Sequence, residues 1–178
     1  MSVLSRQSVL APKLPIENEK RLYWSRLYGS AKSLIIANTS SQMKNPVVVI
    51  TKDVLSAVNL ANELQQFVKN TEETPIKFFP DWETLPYDTF SPYQDILSER
   101  LKTLYELTNL SSGIVVVPIT TLMHRLLPID HLLKNAFSLD LGQKINLDDF
   151  RKRLIRQGYN FVSHVTEHGE VCIRGSLI

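Results

Sequence analysis

The chain has 178 residues, room for one full domain or one domain and part of a second. Its 20 basic and 18 acidic residues leave a formal charge of +2, too even a balance to point to nucleic acid by charge alone, and 43% hydrophobic with 21% charged residues excludes a disordered chain. The single cysteine, Cys172, excludes an internal disulfide framework, the N-terminal residues lack the apolar core of a secretory signal, and no apolar run is long enough to span a membrane.

Residues 1–15, with Pro12 and Pro15, read as a lead-in arm. From Glu17 the spacing of Leu22, Tyr23, Arg26 and Leu27 predicts a helix ending at Gly29, and a second helix follows over residues 31–42. Pro46-Val47-Val48-Val49-Ile50 is a β-branched run behind a turn signal, and it predicts a strand buried on both faces. Val54, Ala57, Val58, Ala61, Leu64 and Val68 then form one helical stripe, with Asp53 as its N-cap. A second short strand covers residues 76–79.

Ser91-Pro92-Tyr93-Gln94 has the form of a capping box with proline at the first helical position. It predicts a helix over 92–108 that buries Leu97, Leu101, Leu104 and Leu107. Gly113 opens a third buried strand at Ile114-Val115-Val116-Val117. Strands alternating with helices predict an α/β fold, a parallel sheet with helices on both faces. Past Pro128 a short strand is predicted at 137–141. A helix capped by Asn146 follows, with Asp148 and Asp149 in its first turn and Gly158 as its stop. Residues 159–165 and 171–178 read as two strands joined by Glu167-His168-Gly169, and the apolar ending Leu177-Ile178 predicts a piece of a longer protein.

Four groups of residues are candidates for chemistry. Gly29-Ser30-Ala31-Lys32-Ser33 resembles the end of a phosphate loop, whose full form is G-x-x-x-x-G-K-S/T, because backbone amides must reach the phosphates unobstructed. Here Arg26 and Ala31 occupy the two glycine positions, and the competing reading makes Gly29 a helix stop and Lys32 a solvated residue. His164 and His168 are four apart but fall on a strand and turn, so a metal site is not predicted from them or from His124 and His131. Arg151, Lys152, Arg153 and Arg156 could meet phosphates, but a solvated last helical turn favoured by the helix dipole is the preferred reading. Residues 79–92, with Trp82, Tyr87 and Phe90 among prolines and acids, are either a functional loop after a strand or a packed connection over the sheet edge.

Three segments carry a resemblance to a known family: DWETLPYDTFSPYQDILSERLKTLYEL, IVVVPITTLMHRLLP and EHGEVCIRGSLI. From about Leu22 onward the chain resembles the N-terminal, UvrB-like module of the bacterial transcription-repair coupling factor. The resemblance implies a helicase-like domain with a degenerate phosphate loop over residues 1–130, then a smaller, truncated α/β domain over 131–178 that binds UvrA. It places the family's phosphate loop on Gly29, Ala31, Lys32 and Ser33, inactive and without a cofactor, and a UvrA contact on Arg174. It also implies a cytoplasmic, non-catalytic module of a longer protein that engages RNA polymerase and double-stranded DNA, whose translocase motor lies elsewhere. UvrB's β-hairpin for damaged DNA has no counterpart after Tyr87. The rival expectation is a P-loop nucleotide hydrolase or helicase half with residual ATP binding.

Overall fold

The computed structural model describes residues 8–14, 21–85 and 87–178. Most of the predicted N-terminal arm and the start of the helix expected from Glu17 lie outside these residues. The chain forms two compact units, one built from residues up to Asp81 together with Glu106–His124, the other from Trp82–Tyr105 together with Arg125–Ile178.

In the first unit, residues 21–28 are irregular rather than helical. Arg26 has φ +60°, a left-handed conformation that no helix passes through, and Gly29 follows at φ +53°. Helix α1 is Ala31–Ser40, strand β1 is Val47–Thr51 and helix α2 is Val54–Phe67. Asp53 caps α2 as expected, its carboxylate accepting from the Ser56 amide at 2.7 Å. Hydrogen bonding from Ser56 first, and then the nearby Lys52 ammonium, hold the Asp53 carboxyl below the usual carboxylate range. The inward stripe of α2 is Ala57, Leu60, Ala61 and Leu64, whereas Val58 faces outward.

Strand β2 is Ile76–Phe78 and strand β3 is Ile114–Pro118. The sheet order is β1-β3-β2, and both pairings are parallel. Strand β3 is buried at every position, as its unbroken apolar run predicts for a central parallel strand. Strand β1 departs from that expectation. It lies at the edge, and Val48 and Ile50 are more than half exposed. The core of this unit joins Ile35, Ile36 and Ala37 of α1, the inner face of α2, and Ile114 and Val116 of β3. Each fully buried isoleucine, leucine or valine side chain among them is worth about 1.5–3 kcal/mol against exposure. Gly113 makes the close approach that lets β3 enter between its neighbours. Its φ is +127°, and a Cβ there would stand 2.5 Å from the Pro75 carbonyl oxygen.

In the second unit, helix α3 is Gln94–Leu107, its last two residues belonging to the first unit. It starts two residues later than the capping box predicts. The Tyr93 carbonyl accepts from the Leu97 amide, and exposed Ser91 makes no capping bond among the described residues. The predicted leucine stripe is only partly covered, while Arg100 and Thr103 are the buried positions of α3. Arg100 is sheltered because its guanidinium lies over the Trp82 ring at 4.3 Å. The short helix α4, Ile119–Leu122, belongs to the first unit and directly continues β3.

Helices α5 and α6 are Ile129–Asn135 and Leu147–Arg156. The strand predicted at 137–141 does not form. Phe137 is instead drawn edge-on against Phe150, ring centroids 5.5 Å apart, and lies under the Arg153 guanidinium. Asn146 caps α6 by accepting from the Asp148 and Asp149 amides at 3.0 and 3.2 Å, and Gly158 ends it at φ +83°. Strands β4, Asn160–Phe161, and β5, Glu170–Val171, pair parallel over two residues each. The long strands expected over 159–165 and 171–178 are thus reduced to a minimal pair with a looped connection. The small core here is Phe150, Leu154 and Val171, with Phe137 and Ile173 against it.

The two helix starts make a paired prediction. Asn146→Ala costs about 1 kcal/mol, because two amides lose their acceptor. Ser91→Ala changes stability by less than roughly 0.5 kcal/mol. Urea midpoints check both, and a Ser91→Ala loss as large as that of Asn146→Ala contradicts the observed start of α3.

Candidate functional site

Open parallel sheets bind ligands at helix N-termini and beyond the carboxyl ends of their strands. In the first unit the strand ends are filled by the protein's own side chains, and the chain entering α1 departs from a phosphate loop. The segment leading to α1 comes from irregular chain rather than from a strand. Ser30 takes the N-cap position without a side-chain bond, and Ala31 occupies the place where a phosphate loop needs glycine. Lys32 is exposed and makes no ion pair among the described residues. Ser33 is fully buried, and its hydroxyl donates to the Glu63 carboxylate on α2. The hydroxyl that would hold Mg²⁺ in a working loop therefore points away from the loop and ties α1 to α2. Gly29, Ala31, Lys32 and Ser33 lie together in sequence, and the Ala31 amide is engaged by the Tyr28 carbonyl at 3.1 Å.

Beyond the strand ends, Asp81 follows β2, and Thr120, Thr121 and His124 follow β3. The Thr120 and Thr121 hydroxyls both donate to the Asp81 carboxylate, the second at 3.2 Å, and His124 Nε2 stands 4.0 Å from its other oxygen. The Asp81 side chain is only 12% exposed. This cluster was not singled out by sequence. The available signal was an acid just past one strand and a Thr-Thr pair just past its parallel neighbour.

In the second unit, Arg174 sits where the chain turns sharply. Its amide and carbonyl pair with those of Leu177 at 2.9 and 3.0 Å, around Gly175 at φ +61° and Ser176. The side chain is exposed, as the alternation predicts, since Val171 and Ile173 face the small core. The guanidinium is not loose. One nitrogen donates to the Ser163 carbonyl, which Cys172 Sγ also approaches at 3.4 Å. The intervening loop is braced by Glu170. Its carboxylate accepts from the Thr166 and Glu167 amides and the Thr166 hydroxyl at 2.8, 3.1 and 3.1 Å. The Thr166 amide contact leads in holding Glu170 below the usual carboxylate range, and nearby His164 adds to it.

The remaining candidates separate in space. His168 faces Asp95 at 3.4 Å, while His164 lies by Glu170, and no cluster of three or more metal-ligating side chains occurs among the described residues. On α6, Arg151 lies over Phe161 at 5.3 Å, Arg153 over Phe137 at 4.4 Å, and Arg156 bonds the Lys152 carbonyl. No helix among the described residues is long and apolar enough to cross a membrane.

These features define a small parallel α/β unit with an irregular segment before its first helix, and a second unit that presents an ordered surface arginine. Comparison with known proteins gives the family. The chain is 40% identical over 167 residues to the transcription-repair-coupling factor of Haemophilus influenzae, covering 94% of this chain and 14% of that protein. It is 38% identical over 165 residues to the Escherichia coli protein of the same name, covering 93% and 14%. It is 32% identical over 149 residues to that of Staphylococcus aureus, covering 84% and 12%. No family model matches. By sequence the chain belongs with the transcription-repair-coupling factors, and it spans about one seventh of the length of the relatives it matches.

The Ser33–Glu63 bond makes a prediction that a phosphate-binding serine would not meet. Ser33→Ala costs about 2 kcal/mol, as loss of a sheltered hydrogen bond to a carboxylate does. In a double-mutant cycle with Glu63→Ala the two losses are non-additive, because both report one bond. Thermodynamic additivity, or a neutral Ser33→Ala, removes the structural role.

Proposed function

We propose that the chain is a non-catalytic binding module that recruits the excision-repair protein UvrA to transcription stalled at DNA damage. The reading divides the chain into a degenerate helicase-like module, 1–130, and the start of a UvrA-binding module, 131–178. The supporting observation is Arg174, an exposed guanidinium held at a tight turn by the Ser163 carbonyl. A planar fork of donors fixed in this way loses little freedom on meeting a partner carboxylate, which suits it to an interface hot spot. The chemistry of the α1 loop favours binding over hydrolysis. Side chains at Arg26 and Ala31 stand where phosphate oxygens need bare backbone, and Ser33 is engaged with Glu63. In the longer protein this module works in the bacterial cytoplasm beside parts that engage RNA polymerase and double-stranded DNA, and ATP-driven translocation belongs to those parts.

Arg174→Ala in the full-length protein weakens UvrA binding by about 2 kcal/mol. Stability changes by no more than roughly 0.5 kcal/mol, as expected of an exposed site. Titration of wild type and variant with purified UvrA, beside matched urea melts, checks both. Unchanged affinity removes Arg174 from the interface. A large loss of stability assigns it to bracing the Ser163 loop instead.

A further inference from the structure

The connection between β2 and α3 presents a set of side chains that the proposed UvrA contact does not use. Leu85, Tyr87, Phe90 and Tyr93 are 77%, 105%, 77% and 78% exposed. Large apolar side chains scattered singly over a surface need no explanation, but four exposed within one short connection do. Of Trp82, Tyr87 and Phe90, it is Trp82 that is covered, by Arg100, while the other two are exposed. The backbone also departs from easy conformations here. Glu83 and Tyr87 have φ +57° and +68°, in the left-handed region that bulky residues avoid. Local strain that turns an aromatic ring outward runs against folding stability and so points to use.

The charge of the segment selects the partner. From Phe78 to Glu99 the chain carries Asp81, Glu83, Asp88, Asp95 and Glu99 and no lysine, arginine or histidine. Asp81 is engaged by the two threonines and Asp95 is faced by His168. Glu83 and Glu99 are exposed without an ion pair among the described residues, and Asp88 is exposed with its carboxylate on the Thr89 amide. Exposed aromatics could serve as a base-stacking platform, but such platforms lie in positively charged grooves, and here phosphates would meet carboxylates. Exposed tyrosine and phenylalanine interspersed along the chain with acids match a protein surface with an apolar centre and a lysine- or arginine-rich rim.

We propose that Leu85, Tyr87, Phe90 and Tyr93 form a docking surface for a basic, amphipathic segment of a partner protein. These residues do not include Arg174, and the proposal does not depend on the UvrA assignment.

The test is a nuclear magnetic resonance titration of the 178-residue chain with a synthetic amphipathic helical peptide of lysine and leucine. The controls are the glutamate–leucine counterpart and a short single-stranded oligodeoxynucleotide. The basic peptide shifts amide resonances of residues 83–95 saturably, and its affinity falls several-fold when salt rises from about 50 to 300 mM. Tyr87→Ala/Phe90→Ala and Asp88→Lys each weaken it about tenfold or more without moving the urea midpoint. Shifts absent from 83–95, equal binding of the acidic peptide, or equal binding of the oligonucleotide there each overturn the proposal. So does sedimentation showing that these residues instead join two copies of the chain.

Discussion

Strand β3 is the constraint on which the first unit depends. It is hydrogen-bonded in parallel to β1 on one side and β2 on the other, and all five of its residues are buried. A strand in that position cannot shift by one residue without carrying its ladder and both side-chain faces with it. Gly113 permits the entry, since any Cβ there collides with Pro75. At its far end β3 runs straight into α4, which delivers Thr120 and Thr121 to Asp81. The same strand therefore fixes the sheet register, the packing of α1 and α2, and the closure of the strand ends.

The parts of this fold that were legible in sequence are those set by local chemistry or by an unbroken apolar run. Asp53 and Asn146 each offer one short acceptor to nearby amides, and Gly158 supplies the left-handed stop. Strand β3 is apolar throughout because both of its faces are covered. The illegible parts are those decided by distant neighbours. Leucine and tyrosine spacing over residues 22–27 looks helical, yet Trp24 and Leu27 are recruited to the α1–α2 core and Arg26 turns left-handed. Phe137 gives up strand pairing for an edge-on contact with Phe150 and a guanidinium above it. The ending past Val171 alternates as a strand should, but Gly175 and Ser176 fold it back on itself.

The candidate site was legible to a different degree. Loss of the glycines at positions 26 and 31 was visible in the sequence, whereas the destination of the Ser33 hydroxyl was not, because Glu63 lies thirty residues away on another helix. Exposure of Arg174 followed from alternation, but its anchoring to Ser163 required the turn that the alternation did not foresee. The Asp81 cluster needed the parallel pairing of β2 with β3 before its members could be placed together. In each case the sequence names the residue and the fold names its partner.

A sheet whose strand ends are occupied by its own side chains, and whose Ser33 hydroxyl is engaged by Glu63, has its remaining capacity for binding on its surfaces. That claim separates a binding module from a nucleotide hydrolase. Thermal melting of the 178-residue chain with and without millimolar ATP and Mg²⁺ tests it most directly. The account predicts coincident melting curves. A ligand at a hundredfold excess over its dissociation constant adds about 2.7 kcal/mol, which for a chain of this size raises the midpoint by several degrees. A reproducible rise of that size would contradict the account.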